Sequence, residues 1–146
     1  MDSEQINIIL KRHLRHYFRG VYASDKIPFP KAPFPYAIIV NTDKSGEPGK
    51  HWQAIWIKSA SSVEFFDSFG NEATGKIKEF LKIFNNVEKN NRKIQLNFEI
   101  SCGPYVIYFI VNKFRGLSLN QIIRNLKRQQ FPDTFVKFFV HNLIKL

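Results

Sequence analysis

Near the N-terminus Ile6, Ile9, Leu10, Leu14 and Tyr17 recur at three- and four-residue spacing, with His13 beside the same stripe. That period belongs to an amphipathic helix. Ser3 and Glu4 open it, and Gly20 suits its C-terminal cap. Pro28, Pro30, Pro33 and Pro35 then deny their segment both helix and central strand. It reads as an ordered surface connector anchored by Phe29 and Phe34. Tyr36 to Asn41 reads as a buried strand, and turn residues fill positions 42–50. His51 to Lys58 alternates, and Val63 to Asp67 follows a tight connection, so the three strands form an antiparallel meander. Ile77, Phe80, Leu81 and Phe84 share one face of a helix over Glu72 to Phe84. Asn85 to Arg92 reads as polar loop and Lys93 to Asn97 as a short strand. The run Val106 to Val111 is apolar on every side, which predicts a buried helix from Cys102 to near Gly116. Two further helices, about Ser118 to Gln129 and Pro132 to Ile144, close the chain, with Ser118 and Asp133 as caps. The expected class is α+β: a central, mainly antiparallel sheet with the Cys102 helix packed against it and other helices flanking.

Composition narrows this picture. A chain of 146 residues is expected to form one domain, 1–146, with a single core. Its 15 phenylalanines fall largely in periodic segments, where core packing explains them. The net charge of +10 fits either a polyanionic partner such as nucleic acid or a solvated basic surface. A single cysteine excludes an intrachain disulfide and a multi-cysteine zinc site, and suits a reducing compartment. No apolar stretch approaches the roughly 20 residues that span a bilayer. Met1-Asp2-Ser3-Glu4-Gln5 is unlike a secretory signal, so an intracellular or virion-internal protein is expected. His13 and His16 stand among Lys11, Arg12 and Arg15 without an acidic ligand nearby, and read as surface or boundary residues. No metal or cofactor is expected.

The candidate chemistry centres on Ile100-Ser101-Cys102-Gly103-Pro104-Tyr105. Cys102 would stand at a helix N-terminus, where the dipole and free N–H groups favour a thiolate. His51 lies on one predicted strand and Asp67 at the end of the next. Adjacent strands are about 4.8 Å apart, so the two can meet. One Cys, one His and one Asp make the skeleton of a cysteine peptidase. His51 would hold the thiol proton, and Asp67 would fix the imidazole tautomer and support the imidazolium. A Gln95 amide, seven residues before Cys102, would donate to the developing oxyanion beside the Cys102 N–H. Asn97 is the rival donor, and Gln95 also fits a solvent-facing strand position.

Three blocks, Gly49-Lys50-His51-Trp52, Phe66-Asp67-Ser68-Phe69-Gly70 and Gln95…Cys102-Gly103-Pro104-Tyr105, resemble the adenovirus maturation protease and its wider group, which includes the SUMO-deconjugating cysteine proteases. Gly20-Val21-Tyr22-Ala23-Ser24-Asp25-Lys26-Ile27-Pro28, with Ile39-Val40-Asn41-Thr42, resembles the proteases of Polinton/Maverick transposons and virophages more closely. The resemblance runs from about Gly20 to Gly116. It implies an α+β fold with catalytic His51, Asp67, Cys102 and Gln95. Trp52 matches the tryptophan that roofs a narrow tunnel over a Gly-Gly tail in SUMO proteases, and equally fits an ordinary core aromatic. Trp52 and Gly103 are the expected substrate contacts, while Trp56 falls on the core side of the strand alternation. Adenovirus protease is activated by a peptide disulfide-linked to a second cysteine; this chain has no second cysteine and is shorter.

The implied activity is an endopeptidase that cleaves viral or transposon capsid or virion precursors after small, Gly-type residues, in the virion or the host cytoplasm or nucleus. The alternatives are an isopeptidase for a ubiquitin-like protein and a basic nucleic-acid-binding domain. Expected partners are a polypeptide substrate and non-specific DNA, the latter through Lys11 to Arg15, Lys89 to Lys93 and Arg124 to Arg128; no membrane association is expected, and the chain is expected to be a monomer.

Overall fold

A computed structural model of the chain describes residues 1–46, 51–94 and 102–146. Helix α1 spans Ser3–Leu14. Its cap is Asp2, which accepts from the Gln5 N–H at 2.8 Å while the Gln5 side chain accepts from the Asp2 N–H at 2.9 Å. This reciprocal box satisfies two otherwise orphaned donors. The helix does not reach Gly20. The chain turns at Arg15 (φ 54), passes through a 3-10 turn over Arg15–Tyr17 and enters strand β1, Phe18–Ala23. Gly20 is therefore a strand residue, at φ +139, where the pairing register skips.

Strands β2 (Tyr36–Asn41), β3 (Trp52–Ile57), β4 (Ser62–Phe66) and β5 (Asn86–Lys89) complete a five-stranded sheet of order β1-β2-β3-β4-β5. The β2-β3-β4 meander is antiparallel, as the sequence pattern indicates. The two outer pairings, β1 with β2 and β4 with β5, are parallel, so the sheet is mixed. Both outer strands escaped the sequence reading. The apolar residues of β1 continue the helical stripe, and every residue of β5 is exposed, so that edge strand has no inward alternation to reveal it.

The sheet is the middle layer. Ala37, Ile39, Ala54, Trp56 and Phe66 face α1 and helices α3 (Cys102–Phe114), α4 (Leu119–Lys127) and α5 (Pro132–Ile144). Ile38, Val40, Ile55, Ile57, Val63 and Phe65 face the short helix α2, Gly75–Leu81. Alternation along each strand thus fills two apolar layers, at about 1.5–3 kcal/mol for each fully buried large side chain. Helix α3 is buried from Cys102 to Asn112, and its Phe109 stacks on Phe66 of β4 with ring centroids 4.7 Å apart. Buried Glu64 on β4 is compensated by two cations, Lys113 of α3 at 3.0 Å and Lys58 at 2.8 Å.

Several local expectations change. Helix α2 starts at Gly75 rather than Glu72. Ser118 caps α4 in a box with Gln121, as expected. Asp133 does not cap α5; the N-cap is Phe131, and the Asp133 carboxylate instead accepts from the Tyr105 hydroxyl at 2.7 Å, tying α5 to the first turn of α3. The proline-rich connector has no regular structure. Phe34 packs against the α2-side core, but Phe29 is 76% exposed and anchors nothing there. Arg19 does that work: its guanidinium donates to the carbonyls of Lys31 and Pro33 and lies 3.5 Å over the Tyr36 ring. Lys93 and Ile94 are not in a strand, and positions 95–97 lie outside the described residues.

Candidate active site

The β3–β4 register pairs Ala54 with Phe66, so one further step sets Gln53 opposite Asp67. Period-two alternation gives His51, Gln53 and Asp67 the same side of the sheet end. His51 Nε2 is 3.0 Å from Asp67 Oδ2, and Gln53 Nε2 donates to that same oxygen at 2.6 Å. The Phe69 N–H donates to Oδ1 at 2.7 Å. Asn90 clamps the main chain of Asp67: its Oδ1 accepts from the Asp67 N–H at 3.0 Å, and its Nδ2 donates to the Asp67 carbonyl at 2.6 Å. Asp67 is 1% exposed. Burial alone would push its carboxyl up, but the donors His51, Gln53 and the Phe69 N–H outweigh burial and hold it below the usual carboxylate range.

Gly70 closes this turn at φ +72. A Cβ there would stand 2.6 Å from the Arg92 carbonyl carbon and 2.8 Å from the Lys93 nitrogen, both main-chain atoms. Gly70→Ala is expected to cost roughly 2 kcal/mol of stability through strain and the clash with a segment that cannot yield by rotamer change. A urea titration of the two proteins checks this; an unchanged midpoint would refute it.

Cys102 is the first residue of α3 and 7% exposed. The thiol and the His51 ring lie close enough for each to shift the other's protonation. Since Nε2 is held by Asp67, Nδ1 is the nitrogen left for sulfur. Burial pushes the thiol up, but the His51 bond and the main-chain donors of Trp52 and Gly103 prevail, and the thiol lies below its ordinary value. For His51, burial pulls downward, yet the bonds to Asp67 and Cys102 raise the imidazole to about 9. Both shifts run in the direction that favours a thiolate–imidazolium pair.

The structure thus brings His51, Asp67 and Cys102 together. A cleft of about 530 Å³ opens beside His51 and Asp67, lined also by Gln53, Phe69, Thr42 and Glu72; Cys102 is not part of its lining. The Phe69 ring lies 5.3 Å from that of His51. Trp52 is half-buried against the α3-side core, with its Nε1 lacking a partner among the described residues. Trp56 is buried in the same core. Gly103 is buried, and Met1 packs 3.2 Å from where its Cβ would be. Gln95 and Asn97 lie outside the described residues, as do Gly49 and Lys50. Among the described residues, no cluster of three or more His, Cys, Asp or Glu is arranged to hold a metal ion. Sequence reasoning missed Gln53 and Asn90. Gln53 left a readable signal, a polar residue at an inward position of an apolar strand; Asn90, in a polar run, left none.

No family model matches the chain. A cysteine protease of African swine fever virus is 30% identical over 102 residues, covering 60% of this chain and 37% of the viral protein. The protein of another isolate, named a SUMO-1 cysteine protease, is 29% identical over 102 residues. A putative thiol protease of Acanthamoeba polyphaga mimivirus is 27% identical over 100 residues, covering 61% of this chain and 33% of that protein. The chain therefore spans about a third of the length of these relatives. The crystal structure of the African swine fever virus protease superposes with a TM-score of 0.65 at 20% identity, covering 94% of this chain and 64% of that one. By sequence, then, the relatives of this chain are viral cysteine proteases, and by structure it shares the α+β fold of one of them.

Proposed function

We propose that the chain is a cysteine endopeptidase in which Cys102 attacks the scissile carbonyl, His51 carries the proton to the leaving amine, and Asp67 orients the imidazole. The observation that carries this reading is the His51 ring set 3.0 Å from the Asp67 carboxylate, with the Cys102 thiol near enough to the same ring to be lowered by it. Gln95 supplies the oxyanion donor beside the Cys102 N–H, a role supported by its spacing before the nucleophile. Trp52 and Gly103 border the substrate. The substrate class is a viral or transposon virion precursor cut after small residues, in line with the viral relatives and with the resemblance to adenovirus, Polinton and virophage enzymes. The chain works as one domain and a monomer, in the virion or the host cytoplasm or nucleus. The charge of +10 supports weak, non-specific DNA contact. No helix among the described residues is long and apolar enough to cross a membrane.

A second reading, a deconjugase for a ubiquitin-like protein, is favoured by one observation: several relatives are named SUMO-1 cysteine proteases. Two electrophilic probes separate the readings, a short peptide ending in an activated Gly and a SUMO-type vinyl sulfone. Labelling of Cys102 by the peptide probe, with the folded probe inert, is expected. The reverse pattern makes the chain a deconjugase, and labelling by neither removes both.

A further inference from the structure

We propose that Gln53 is a positioning residue of this site, holding the Asp67 carboxylate in the rotation that faces His51; the proposal rests on the cysteine peptidase reading. Gln53 is 3% exposed and donates at 2.6 Å to Asp67 Oδ2, the oxygen that His51 Nε2 meets at 3.0 Å. Two donors converging on Oδ2, with the Phe69 N–H on Oδ1, leave the carboxylate no free rotation. The other end of the amide gains nothing from the fold around it: among the described residues Gln53 Oε1 has no hydrogen-bond partner. A buried acceptor without a partner is a cost, so the amide is not there to satisfy itself. An ionised carboxylate only accepts, so only the NH₂ end can face Asp67, and the carboxylate alone orients the side chain. Gln53 also breaks the apolar pattern of its own strand, whose same-face neighbours are Ile55 and Ile57. Such local violations concentrate at functional sites.

The consequence is electrostatic as well as geometric. A carboxylate this buried stays charged only while enough donors serve it. Losing the Gln53 donor leaves Asp67 a weaker partner for the imidazolium, which in turn supports the Cys102 thiolate less. The other charged groups nearby are Cys102 at the start of α3, Glu72 on the cleft rim, paired with Lys89, and Lys93, 5.5 Å over the Phe69 ring.

The test follows the pH dependence of Cys102 alkylation by iodoacetamide in the full chain, for the wild type and for Gln53→Leu and Gln53→Met. Cys102 is the sole cysteine, so the rate reports it alone. In the wild type, reactivity should persist well below the ordinary thiol value of about 8.5. In both variants the acid step should move up by about one pH unit, a tenfold weaker ion pair, with kcat about tenfold lower, KM unchanged and the thermal midpoint held. A merely structural glutamine would lower the midpoint and leave the profile of the folded chain in place. A profile superimposable on the wild type overturns the proposal, as does failure of both variants to fold. If instead the wild-type thiol titrates like a free cysteine, the peptidase reading itself falls, and this proposal falls with it.

Discussion

Replacing Cys102 by alanine is expected to abolish peptide hydrolysis and leave the fold in place. The sulfur is the only thiol in the chain, stands at the start of α3 and is held below its ordinary value by nearby His51. Without it no acyl-enzyme forms. What remains is whatever binding and oxyanion contacts alone provide, several orders of magnitude below the intact enzyme. The substitution removes one atom at a site bounded by Trp52, Gly103 and His51, so the cost in stability should stay within about 1 kcal/mol. Turnover of a Gly-containing peptide and a thermal melt on the same preparation check both halves. Wild-type turnover in the variant would dismiss Cys102 as nucleophile; loss of the melt would mean that the thiol is a structural element.

The second large effect is expected from Asp67→Ala. Turnover should fall by about 10²–10⁴, the range for disabling acid–base machinery. The pH profile gives the sharper signature. In the mechanism proposed, the working form pairs a thiolate with an imidazolium. As pH falls the thiolate takes up a proton and activity is lost, at a pH below that of an ordinary thiol because His51 and the main-chain donors hold sulfur charged. As pH rises through about 9 the imidazolium loses its proton, and the leaving amine loses its acid. Removing Asp67 deletes the bond that does most to raise His51, while burial continues to pull it down. The alkaline limb should therefore move to lower pH, and the profile of kcat/KM should narrow from that side. A variant whose alkaline limb stays where it is in the wild type would show that Asp67 does not support the imidazolium.

Much of this site could be read from the chain itself. His51, Asp67 and Cys102 fall at the ends of periodic segments whose faces are set by alternation, and the β2-β3-β4 meander follows from three apolar runs and two turns. The rest was hidden for identifiable reasons. Strand β1 begins where an apolar helical stripe ends, and Phe18 satisfies both periods until tertiary pairing with Ala37 decides between them. Strand β5 has no buried side chain and is marked as a strand by its ladder to β4. Asp133 resembles a cap in sequence but is claimed by Tyr105, 28 positions away, a partner that no local pattern reveals. Asn90 grips the Asp67 main chain across 23 positions, again beyond any local pattern.

The pairing of β3 with β4 also sets how this chain can vary in length. Lys58 to Ser61 form the tight turn between them, closed by the Lys58 N–H on the Ser62 carbonyl at 3.0 Å. Surface turns ordinarily absorb single-residue insertions and deletions with little harm. Here one added or lost residue that slipped the ladder would exchange the inward and outward sets of β4 and bring Phe66 or Ser68 opposite Gln53 in place of Asp67. A change confined to the turn leaves the ladder in place, a slip of two residues keeps the parity, and a slip of one must be undone by a bulge before Asp67. Among homologous chains, this exposed turn should therefore vary in length only where the register beyond it is kept, a constraint imposed from the far end of the strand by a carboxylate the turn never touches.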